Sequence, residues 1–116
     1  MKFVNATRGV ALANNGKIAT SPWLRLKGLL GTKRLEEDEA LLLRPCQSIH
    51  TFFMAYPIDV LFFDGNYRVV HLYSSMPPFR ISRFVMRAKF VIELPAGTIE
   101  RTATQVGDLL SIETAA

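Results

Sequence analysis

Ser48-Ile49-His50-Thr51-Phe52-Phe53-Met54-Ala55-Tyr56-Pro57-Ile58-Asp59-Val60-Leu61-Phe62-Phe63-Asp64 is the stretch that decides the fold. Two runs within it, Ser48–Met54 and Asp59–Asp64, are rich in Ile, Val, Thr and Phe, the residue types that suit a pleated, half-buried surface. The connection Ala55-Tyr56-Pro57-Ile58 is short enough for a hairpin, so the two runs are expected to pair. Downstream, Asp64-Gly65-Asn66 is a strong turn signal and Tyr67–Tyr73 alternates into another strand. Met76-Pro77-Pro78-Phe79 breaks regular structure, and the basic stretch Arg80–Lys89 follows as an expected exposed loop. Phe90–Leu94 and Leu109–Glu113 read as closing strands, with turns at Pro95-Ala96-Gly97 and Gly107-Asp108.

Upstream, Phe3–Asn5, Val10–Ala13 and Lys17–Ala19 read as short strands, and Asn14-Asn15-Gly16 as a tight hairpin turn between the last two. One helix is expected near residues 21–31. Ser21 can cap it, Pro22 suits its first position and Gly31 its left-handed end. Between them Trp23, Leu26, Leu29 and Leu30 share one face. Alternating strand–helix units are absent. The reading is therefore a mostly β fold (α+β at the margin), a small β-barrel or sandwich of short strands with that one helix.

A chain of 116 residues supports one domain, 1–116, with 49% hydrophobic and 21% charged residues marking it as globular rather than disordered. No apolar run approaches the length of a membrane span. The N-terminus lacks the apolar stretch of a signal peptide, so a cytoplasmic location is expected, or the envelope if a leader was removed. Fourteen basic against ten acidic residues leave a net charge of +4, which biases partners towards anions. A single cysteine, Cys46, excludes an internal disulfide and a Cys-rich zinc site.

Cys46, His50 and Met54 are three soft ligands spaced by four. On a strand that spacing places neighbours ~13 Å apart, too far for one ion, so no metal is expected. His50 reads as a core or rim histidine, or as a polar group lining a pocket. Asp59 reads as a carboxylate accepting backbone N–H bonds at the adjacent turn, or as a ligand contact. Arg80, Arg83, Arg87 and Lys89 surround Phe79 and Phe84, a candidate anion-binding set. Basic residues among aromatics suit single-stranded nucleic acid. The run is short, however, and Phe84 is expected to pack inward as the anchor of the loop. Nucleic-acid binding should then be weak and lost at physiological salt. No phosphate-cradling glycine motif is present, and no cofactor is expected.

The blocks Ser21–Gly31, Cys46–Met54 with its His-x-Phe-x-Met core, Tyr56–Phe62, Leu94-Pro95-Ala96-Gly97 and Gly107-Asp108 together resemble the bacterial and archaeal domain of unknown function 192. The resemblance covers nearly the whole chain. It implies a compact, mostly β single domain in a bacterial protein, and transfers no reaction. Within those blocks Trp23, His50, Met54 and Asp59 form a candidate ligand-binding set. The expected function is a non-catalytic binding or accessory domain with a small pocket or groove and a small-ligand or protein partner. The alternatives are a hydrolase-like enzyme using His50 and Asp59, and a weakly basic nucleic-acid-binding barrel. No residue is assigned a catalytic role.

Overall fold

The computed structural model describes residues 1–19, 35–52 and 54–114. The helix expected near residues 21–31, with Trp23, lies outside the described residues. Among the described residues eight strands and one short helix are defined: β1 Lys2–Asn5, β2 Val10–Ala13, β3 Asn15–Ala19, β4 Glu39–Leu43, β5 Ile58–Phe63, β6 Val69–Met76, β7 Phe90–Pro95, α1 Thr98–Thr102 and β8 Leu110–Glu113. They form two sheets, a three-stranded one ordered β2-β1-β8 and a five-stranded one ordered β3-β4-β7-β5-β6. All pairings are antiparallel except β3 with β4. The mostly β expectation holds.

Every residue of β5 is buried, and in β7 only Pro95 is partly exposed. Their near-continuous apolar sequences follow from burial on both faces. On one face Leu61, Phe63, Phe90, Ile92 and Leu94 meet Phe3, Leu12 and Leu110 of the small sheet and Ile99 of α1. The Phe63 and Phe90 rings stack at 4.9 Å within this layer. On the other face Ile58, Val60, Phe62 and Val91 are covered by Cys46, Ile49, Met54, Val85 and Ala88, which come from the irregular segments flanking β5 and β7. Each such side chain contributes roughly 1.5–3 kcal/mol on full burial, so these two strands dominate the hydrophobic stabilisation.

Two expected hairpins are not formed. β2 and β3 lie in different sheets, and β3 pairs with β4. Asn14 is held instead by the carboxylate of Asp38, which accepts from its backbone N–H and its side-chain amide. Gly16 passes so close to Phe3 that a Cβ there would lie 2.6 Å from the ring. The corner is thus set by residues remote in sequence rather than by a two-residue turn.

Nor is Ser48–Met54 a strand paired with β5. β5 is flanked by β6 on one edge and β7 on the other, so it has no edge left to offer. Among its described residues the segment makes one isolated bridge, His50 with Ile81. The turn at Asp64 does form: its side chain accepts from the backbone N–H groups of Asn66 and Arg68. β6 then starts at Val69 and runs to Met76, three residues beyond the expected end. The helix α1, only five residues long, was not foreseen.

Candidate anion-binding surface

Of the candidate ligand set, Trp23 lies outside the described residues, and the sheet separates Asp59 from His50 and Met54. Asp59 is fully buried. Its carboxylate accepts from the backbone N–H of Ser75 at 2.7 Å and of Ile99 at 2.7 Å. It therefore accepts backbone N–H bonds as one expectation had it, but from β6 and α1 rather than from the adjacent turn. Met54 is buried in the layer on the opposite face of the sheet. His50 is half-buried at the rim of that layer, its ring 5.1 Å from that of Phe52. A His50–Asp59 dyad, which the hydrolase reading needs, is not brought together: the two sit on opposite faces of β5.

His50 belongs instead to a second arrangement. The segments 46–51 and 79–89 run alongside each other and are joined by backbone bonds: Cys46 N–H to Lys89 O, Val85 N–H to Gln47 O, Ser82 N–H to Ile49 O and Thr51 N–H to Arg80 O. The Gln47 amide adds a bond to Met86 O, and the Ser82 hydroxyl accepts from Ile49 N–H. Thr51 fastens the far end. Fully buried, its hydroxyl donates to Pro77 O at 2.7 Å and accepts from Arg80 N–H at 3.0 Å, while its carbonyl accepts from Phe79 N–H at 2.9 Å.

Every third residue of the basic segment is an anchor: Ser82, Val85 and Ala88 are buried. The residues between them face outward. Arg80, Arg83, Arg87 and Lys89 are all exposed, as are Phe79, Ile81, Phe84 and Met86. The expectation that Phe84 packs inward is thus corrected: Phe84 is 59% exposed and its neighbour Val85 anchors the segment. The three-residue period arises because the segment is an irregular ribbon, bonded at intervals to its neighbour, so neither strand nor helix alternation applies. No acidic residue occurs between Pro77 and Lys89. The result is a ridge whose outward side is cationic and apolar at once.

Beside the ridge lies an open groove of about 420 Å³, lined by Cys46, Ser48, Phe84, Ala88 and Lys89 among others. The buried Cys46 thiol donates to Ser48 O at 3.1 Å. On the other side, Tyr73 accepts from the backbone N–H of Arg83 through its hydroxyl. Tyr73 also packs edge-on against His71 at 4.9 Å, and both rings touch Phe62. Burial, and then the nearby Arg83 charge, push the His71 pKa below its ordinary 6.5.

Two further ionisable groups lie away from it. Glu93 sits in the middle of β7, between Leu41 of β4 and Val60 of β5. It is 1% exposed, and its Oε2 has no hydrogen-bond partner among the described residues. Burial pushes its carboxyl up to about 8. Sequence reasoning missed it, although a glutamate inside the apolar run Phe90–Pro95 was a visible signal. Asp108 ties the chain ends together, accepting from the side chains of Asn5 and Arg8. Its burial opposes ionisation, but the bonds from Asn5, Gln105 N–H and Arg8, with the Arg8 charge, outweigh it and hold the carboxyl below its ordinary range. A second open cleft, of about 410 Å³, adjoins Glu36, Asp38, Tyr56 and Arg101. Among the described residues no three His, Cys, Asp or Glu side chains converge as a metal site, and no helix is long and apolar enough to cross a membrane. The strand on which the Cys46, His50 and Met54 spacing was reckoned does not form.

Comparison with known proteins shows the family and the fold. A UPF0127 protein of Thermococcus sibiricus is 33% identical over 118 residues, covering 96% of this chain and 74% of that one. A UPF0127 protein of Pyrococcus horikoshii is 36% identical over 109 residues, covering 91% and 94%. Both sources are archaeal, so these relatives lend no support to a bacterial assignment. The crystal structure of a protein of unknown function from Novosphingobium aromaticivorans superposes with a TM-score of 0.80, at 18% identity, over 97% of this chain and 84% of that one. The family model of domain of unknown function 192, described as "Uncharacterized ACR", matches residues 4–112. With nearly all of its described strands inside that match, the chain belongs to the family of domain of unknown function 192.

Proposed function

We propose that this chain is a non-catalytic binding domain and that its ligand is an anion held on the ridge formed by segments 46–51 and 79–89. One observation carries the reading: four exposed cations, Arg80, Arg83, Arg87 and Lys89, stand on a segment that has no acidic residue and is fastened down at Ser82, Val85 and Ala88. Cations held on a fixed backbone lose less freedom on binding than the same residues on a loose loop. His50 borders the ridge through its bridge to Ile81 and completes its rim. The groove beside Phe84 and Lys89 gives an anionic group a recess next to the charge.

The experiment is a calorimetric titration with a soluble polyanion, inositol hexakisphosphate, at low and physiological salt. Binding should weaken as salt rises and should be lost in the triple variant R80Q/R83Q/R87Q. Equal binding by the triple variant, or none at low salt, would refute the reading.

A further inference from the structure

We propose that the occupant of the ridge is an anionic lipid surface. This rests on the anion reading above and names its partner. Among the described residues six large hydrophobic side chains are exposed, and four of them fall between residues 79 and 86: Phe79 at 69%, Ile81 at 67%, Phe84 at 59% and Met86 at 78%. Such a concentration on one short segment is unlike the scattered apolar residues of an ordinary surface. Cations interleaved with large apolar side chains match the two layers of a bilayer interface, anionic headgroups outside and acyl chains ~5–10 Å below.

The backbone adds an independent argument. Phe79 has a φ of 61°, a left-handed conformation that costs a non-glycine residue free energy and persists only when its surroundings impose it. Thr51 imposes it, through the Phe79 N–H bond and the bonds to Pro77 and Arg80 on either side. All of that fixes the backbone beneath a side chain that gains little packing of its own. The molecule thus projects an aromatic group into water from a fixed backbone, as an insertion wedge requires. The aliphatic Ile81 and Met86 are as exposed as the two phenylalanines, and neither stacks on a nucleobase. They favour lipid over a single-stranded nucleic acid or an acidic polypeptide, for which the rings and charges alone would serve.

The test is co-sedimentation of the full chain with vesicles of phosphatidylcholine alone and of phosphatidylcholine mixed with phosphatidylglycerol, alongside single-stranded RNA and poly-glutamate in solution. The mixed vesicles should bind the chain and the neutral ones should not. R80Q/R83Q/R87Q should lower the partition coefficient about a hundredfold, and F79S/M86S at least tenfold. These residues are exposed, so both variants should keep the native circular dichroism and melting profile. Residual vesicle binding at high salt that vanishes in F79S/M86S would be the signature of insertion. Binding of RNA or poly-glutamate without vesicle binding would overturn the lipid proposal and leave the anion reading standing. Vesicle binding unchanged in F79S/M86S would overturn insertion, and no binding to any of the four probes would overturn both.

Discussion

Replacing Glu93 with glutamine should alter how stability depends on pH. The folded-state pKa of Glu93 is pushed up to about 8, against an ordinary 4.5. Below pH 4.5 the carboxyl is protonated in both the folded and the unfolded chain, and its titration contributes nothing. From 4.5 to 8 the unfolded chain releases the proton while the folded chain keeps it, so folding stability falls by ~1.4 kcal/mol per pH unit. Over the whole interval that is a loss of about 4–5 kcal/mol, and about 3 kcal/mol has gone by pH 7. Against a typical total of ~5–15 kcal/mol this is a large share. Glutamine keeps the shape and cannot ionise, so E93Q removes the slope. Its extra N–H donors, if unsatisfied, cost ~1–3 kcal/mol at every pH, an offset without a slope. The assay is denaturant unfolding of both proteins from pH 4 to 9. The variant's stability relative to the native chain should climb by about 4 kcal/mol between the ends of the titration. Parallel profiles would show that Glu93 is ionised or hydrated in the folded chain, and the reasoning would be refuted.

Other substitutions probe single contacts. Arg83→Gln should raise the His71 pKa towards its ordinary value, since one of the two influences lowering it is removed; an NMR titration of the imidazole that shows no rise would contradict the placement of Arg83. Asp59→Ala strips the acceptors from two backbone N–H groups and should cost about 2–5 kcal/mol in chemical denaturation, whereas a neutral result would mean that β6 and α1 are not joined through this carboxylate. Gly16→Ala forces a Cβ into the Phe3 ring and should cost roughly 1–3 kcal/mol. Phe3→Leu in the same chain should recover part of that loss, and strictly additive costs would count against the close approach. The Asp108 carboxyl, held below its ordinary range, contributes stability that is present above about pH 4 and lost as pH falls through its folded value. D108N should flatten the acid limb of the pH–stability profile.

Most of the strands were legible because their chemistry is local, although β4 was not read as one. β5 and β7 show as apolar runs, β6 as an alternation, and the Asp64 turn as a side chain satisfying its own backbone. Their partners were not legible, because pairing depends on which edges remain open. Ser48–Met54 has the composition of a strand, yet β5 is already paired on both sides. Asn14-Asn15-Gly16 has a hairpin composition, yet Asp38, 24 residues away, takes the bonds of Asn14. α1 escaped notice because five residues give no periodicity to read. The same division runs through the site. The exposed cations of Arg80–Lys89 were readable from composition, as was the break at Pro77-Pro78. The inward anchor was misassigned to Phe84, the more hydrophobic residue, because the three-residue rhythm of the segment comes from bonds to 46–51 that no local pattern encodes. Asp59 was rightly seen as a backbone acceptor, but its donors, 16 and 40 residues away, lay beyond sequence reading.

The ridge of Phe79–Lys89, with its border at Cys46–Thr51, is the proposed binding surface of this domain. Amide-resolved NMR of the isotope-labelled chain, recorded with and without anionic lipid nanodiscs, tests it most directly. Broadening and shifts should concentrate on Phe79–Lys89 and Cys46–Thr51, strongest at Phe79, Ile81 and Met86, with α1 and the β2-β1-β8 sheet unchanged. Perturbations centred instead on the cleft beside Tyr56 and Arg101, or spread evenly over the chain, would contradict it.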